Sequence, residues 1–114
     1  MTAAAFRRIA LGLSGAVEGS HMGHPDFRAK GKIFASLQSA DRGMVKLTPE
    51  QQARVVAGCP DAFAPESGAW GRQGYTRVHL KHADAEHVGE AITLAWQNVN
   101  VATPTRRTST RSTR

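Results

Sequence analysis

Apolar residues recur along this chain in two rhythms, a period near 3.6 that marks helices and a period of 2 that marks strands. Phe6, Ile9, Ala10 and Leu13 fall at i, i+3, i+4 and i+7, which predicts a helix over residues 3–13 that Ser14-Gly15 terminates. Residues 17–22 predict a short strand, followed by a turn around Gly23-His24-Pro25. Residues 26–37 predict a hairpin centred on Lys30-Gly31, a pair suited to a two-residue turn, and residues 44–47 a further strand. Thr48-Pro49-Glu50-Gln51 has the residues of a helix start: Thr48 to cap, Pro49 for the first turn, Gln51 to reach back. That helix ends at Gly58. Residues 61–74, with Pro65, Gly68, Gly71 and Gly74, predict a loop-rich stretch, and residues 75–80 alternate as a strand. Asp84 caps a final helix through Val99, with Val88, Ile92, Ala95 and Val99 on one stripe.

Helix, strands, helix, strand, helix, joined by short connections, predicts one α+β domain over residues 1–101. Its antiparallel sheet has about five strands, with helices packed on one face. Alternation then sorts the strand residues. Ile33, Ala35, Leu37, Val45, Leu47, Val78 and Leu80 are assigned to the helical face. Phe27, Lys32, Phe34, Lys46, Tyr75, Arg77 and His79 are assigned to the open one. Aromatic rings interleaved with cations form a platform able to stack bases and hold phosphates. The competing assignment is a sheet whose aromatics are covered by loops and whose cations merely meet solvent.

Charge changes less than it first suggests. The chain of 114 residues has a net charge of +6, but Arg106, Arg107, Arg111 and Arg114 sit in a tail with no acid. Without those four, eleven basic residues face nine acids, so residues 1–101 carry only +2. The Thr/Ser/Arg tail, residues 102–114, has little to anchor it and is expected to be disordered. No apolar run is long enough to cross a bilayer, and the N-terminal segment, broken by Arg7 and Arg8, does not read as a signal peptide. The single cysteine, Cys59, forms no intrachain disulfide, so a cytoplasmic location is expected.

Catalytic chemistry finds no support in the pattern. Cys59 follows a helix end, which disfavours a neighbouring anion, and no base is assigned to it. The spacings His21-x-x-His24 and His79-x-x-His82 put their histidines on opposite faces of an extended strand unless a turn intervenes, and no second cysteine completes a metal site. Gly68 to Gly74 lacks the Lys-Ser/Thr of a phosphate loop. The expectation is therefore a protein with no catalytic residues, metal or cofactor.

Three stretches carry a family resemblance. Gly23-His24-Pro25-Asp26-Phe27-Arg28 runs into Gly31-Lys32-Ile33-Phe34-Ala35; Trp70-Gly71-Arg72-Gln73-Gly74-Tyr75-Thr76-Arg77-Val78 follows; and the last helix holds Ala95-Trp96. In order and spacing these resemble the MmcQ/YjbR family of small bacterial proteins, over about residues 3–100. The resemblance implies a frataxin-like or double-wing arrangement of the α+β fold, and DNA binding. The Arg tail lies outside what the family implies, and a frataxin-like iron role is not expected, because the first helix carries Arg7 and Arg8 in place of an acidic ridge.

These readings converge on a monomeric, non-enzymatic module that binds nucleic acid, DNA by the resemblance. Lys32, Lys46, Arg72 and Arg77 would meet phosphates, and Tyr75 would stack. The alternative is a protein-interaction or small-ligand module in which Phe27, Phe34, Trp70 and Tyr75 line an apolar patch.

Overall fold

The computed structural model describes residues 1–101; the expected disordered tail, 102–114, lies outside the described residues. Four helices, α1 (Ala3–Leu11), α2 (Pro49–Gly58), α3 (Gly68–Arg72) and α4 (Ala85–Val101), accompany six strands. The strands are β1 (Val17–His21), β2 (His24–Ala29), β3 (Lys32–Ser39), β4 (Arg42–Lys46), β5 (Phe63–Pro65) and β6 (Tyr75–His79). They form one sheet in the order β1-β2-β3-β4-β6-β5, with every neighbouring pair antiparallel. The α+β class is as expected, with one strand more than anticipated. The sixth is β5, which lies with α3 inside the stretch read as loop.

Local chemistry accounts for the boundaries. Lys30 and Gly31 both take positive φ, 53° and 77°, and Ala29 pairs with Lys32 across them. Two left-handed residues in succession match the twist of a hairpin. Met22 and Gly23 repeat the device at φ 51° and 81°, with His21 opposite His24. The turn therefore sits at Met22-Gly23, sharing only Gly23 with the Gly23-His24-Pro25 turn read from sequence, and His24 and Pro25 belong to β2. At α2, Thr48 Oγ1 accepts from the Gln51 N–H at 3.1 Å, and Gln51 Oε1 accepts from the Thr48 N–H at 3.0 Å, the reciprocal cap expected.

The core lies between one sheet face and α1 and α4. Phe6 of α1 is buried against Gly43 of β4, where a Cβ would stand 2.8 Å from the ring, and its centroid is 6.1 Å from that of Phe27. Val88, Ile92, Ala95 and Val99 of α4 are buried on the stripe the sequence marks.

Here the sequence assignment of the hairpin fails. Phe27 and Phe34 are fully buried, not outward, and Ile33 is on the open side. Phe27 pairs with Ala35 while Arg28 pairs with Ile33, so Phe34 is an extra residue on β3. Such a bulge lets two successive residues share a side, and simple alternation breaks there.

Candidate functional site

The face opposite α1 and α4 carries outward-pointing residues of five strands, and two charge networks fix its floor. Asp26 on β2 has a fully buried carboxylate. Its Oδ1 accepts from Arg28 Nε at 2.6 Å, its Oδ2 accepts from Arg28 Nη2 at 3.0 Å, and His21 Nδ1 lies 2.7 Å from Oδ2. The bonds from Arg28 hold the Asp26 carboxyl below the usual carboxylate range; burial opposes them, and His21 adds to them. At the other end, Glu66 Oε1 accepts from Arg42 Nη2 at 3.2 Å and from Arg77 Nη2 at 3.1 Å. One carboxylate thus serves two guanidiniums, whose Nε atoms are buried without a partner among the described residues.

Between these networks stands an aromatic wall. Trp70 of α3 meets Tyr75 of β6 edge to face, with centroids 4.9 Å apart, and Trp70 remains 61% exposed. Lys46 Nζ lies 5.5 Å from the Tyr75 ring centroid, within cation–π range. Two glycines set the wall. A Cβ at Gly71 would collide with the Glu66 carbonyl oxygen, and one at Gly74, where φ is 106°, with that of Leu47. Gln52 of α2 ties the junction down, its Nε2 donating to Gly71 O at 3.1 Å and Tyr75 O at 3.0 Å.

The wall borders a groove in two parts that share His21, Met44, Trp70 and Tyr75. The narrower part, about 330 Å³, adds Gln38, Glu66 and Ser67. The wider part, about 610 Å³, adds Arg28, Gly31, Lys32, Ile33 and Lys46, and among the described residues no carboxylate lines it. Both volumes fall in the range of small-molecule sites, roughly 300–1,000 Å³.

Of the five residues expected to bind, the fold brings Lys32, Lys46 and Tyr75 into this groove. Arg77 shares the open face but is engaged by Glu66. Arg72 is exposed at the end of α3 and does not line the groove. Sequence reasoning missed Arg28 and His21, whose side chains are directed by the buried Asp26. It placed Trp70 only in an apolar patch. The signal for the wall was in Trp70-Gly71-x-x-Gly74-Tyr75, where the glycines allow the close approach that brings the rings together.

Among the described residues, no helix is long and apolar enough to cross a membrane. No curated protein matches the chain. A solved crystal structure, Deinococcus radiodurans protein DR2400, a DUF419 domain, superposes with a TM-score of 0.72 at 20% sequence identity, covering 88% of this chain and 79% of that one. At that identity the likeness speaks to the fold. Residues 11–98 match the sequence profile of the YjbR family, more than half of the chain, and this protein therefore belongs to the YjbR family.

Proposed function

We propose that this protein is a non-enzymatic nucleic-acid-binding module that holds single-stranded DNA in the groove of its open sheet face. The observation that carries the reading is the composition of the wider part of the groove. Lys32 and Lys46 line it, neither in an ion pair among the described residues, beside the exposed Trp70–Tyr75 pair, while Arg28 and His21 reach it already bonded to the buried Asp26. Lys32 and Lys46 offer ammonium groups to phosphates, and the aromatic pair offers a surface to bases. An unpaired strand fits better than a duplex, because base faces are available for stacking only where they are not already stacked. A lone thiol at Cys59 suits a reducing, cytoplasmic setting.

A second reading, a site for a small ligand or a peptide, draws on Glu66 in the narrower part. That carboxylate is already paired with Arg42 and Arg77, so it adds no net negative charge to the groove. The first reading therefore takes precedence.

Fluorescence anisotropy of a short end-labelled single strand titrated with the protein at low salt tests it. The expected result is saturable binding that weakens in Trp70→Ala/Tyr75→Leu while the far-UV spectrum is kept. Base–aromatic stacking is worth about 1–3 kcal/mol per base, so affinity should fall roughly 5- to 150-fold. Equal affinity in wild type and variant would remove the groove from the account.

A further inference from the structure

The helical side of the molecule carries a second constellation, independent of the groove. Cys59 closes α2, its N–H donating to Val55 O at 3.1 Å. Asp84 precedes α4, with Oδ1 accepting from the His87 N–H at 2.8 Å and Oδ2 lying 2.7 Å from His87 Nδ1. The fold brings these two helix ends together, so that one donor atom from each of Cys59, Asp84 and His87 lies within 4.8 Å of the others. Cys59 is half-buried, whereas Asp84 and His87 are exposed.

We propose that Cys59, Asp84 and His87 form a binding site for a single Zn²⁺ ion, with a fourth coordination position left to water. A thiolate, an imidazole and a carboxylate are a donor set that zinc accepts, and three protein ligands with one open position is a known form of zinc site. Bond lengths of about 2.0–2.3 Å place tetrahedral ligands roughly 3.3–3.6 Å apart. Donors within 4.8 Å of one another therefore need side-chain rotation of the order of an ångström, which exposed Asp84 and His87 can make. Binding releases the Cys59 proton, and the two anionic ligands then balance the charge of the ion. The C-terminal end of α2, where Cys59 sits, favours a cation even though it disfavours a bare thiolate.

An aspartate bonded to a histidine three residues on is an ordinary helix cap. The thiol converging on the pair from a different helix is what makes this a ligand set. His87 is exposed and also lines the cleft formed with Arg54, Val55, Phe63, Glu90 and Leu94.

The test uses the full chain, reduced and stripped of metal, titrated with Zn²⁺ and with Co²⁺ as its spectroscopic substitute. One equivalent should bind saturably, and the Co²⁺ complex should show a thiolate-to-cobalt charge-transfer band. Cys59→Ser should abolish the band, and His87→Ala should lower affinity by about tenfold or more, with the far-UV spectrum of each variant matching wild type. Absence of the thiolate band would overturn the proposal. So would equal affinity in wild type and the Cys59→Ser/His87→Ala double variant, which would assign the metal to the remaining histidines.

Discussion

Asp26 shows how a single side chain organises the open face. Its carboxylate is buried, yet it is held ionised by Arg28, so the guanidinium is drawn across the sheet toward the groove. A carboxyl whose folded pKa is depressed contributes stability that is fully present above its unfolded pKa, about 3.9, and is lost as pH falls through the lower folded value. Urea unfolding followed from pH 6 to pH 2 should show a decline below about pH 4 that is shallower in Asp26→Asn. At pH 6 the same substitution should cost about 1–3 kcal/mol, because Arg28 and His21 lose a charged acceptor. A pH profile unchanged by the substitution would contradict this role. Gly43 is the corresponding residue on the helical face. Gly43→Ala would press a methyl group into the Phe6 ring and should destabilise by about 1–3 kcal/mol in the same assay.

Elements differ in how far the sequence announces them, and the reason is the range of the interactions that fix them. The Lys30-Gly31 turn, the Thr48–Gln51 cap and the apolar stripe of α4 are local, and each is found where the pattern puts it. The bulge at Phe34 is not local. Either face of the hairpin can accept an aromatic, and burial of Phe27 is settled by Phe6, some twenty residues earlier. β5 and α3 are too short, at three and five residues, to establish a period. Their position depends on the glycine contacts with Glu66 and Leu47. Gly74→Ala therefore tests the α3–β6 junction. It should destabilise the domain and expose Trp70 further, which a red shift of tryptophan emission would report. A spectrum and stability like wild type would show that the junction does not set the aromatic wall. The candidate site divides in the same way. Lys46 and Tyr75 were legible from alternation along their strands, whereas Lys32 reaches the groove from the hairpin end, in a strand whose alternation failed at Ile33 and Phe34. Trp70, Arg28 and the convergence of Cys59 with Asp84 and His87 depend on how separate elements meet.

At the scale of the whole molecule, charge is the property most easily misread. The described domain carries little net charge, while four arginines lie beyond it, so affinity of the full chain for nucleic acid would by itself say little about the groove. Salt dependence separates the two sources, because each phosphate neutralised by a cation releases counterions and contributes about 0.7 to the slope of log affinity against log salt for a single strand. The most direct test of the account is that slope, measured with a short single-stranded DNA for residues 1–101 and for the same chain carrying Lys32→Gln and Lys46→Gln. The groove reading predicts saturable binding by residues 1–101 alone and a slope smaller by about 1.4 when both lysines are replaced. Binding that vanishes with the tail, or a slope unchanged by the two substitutions, would contradict it.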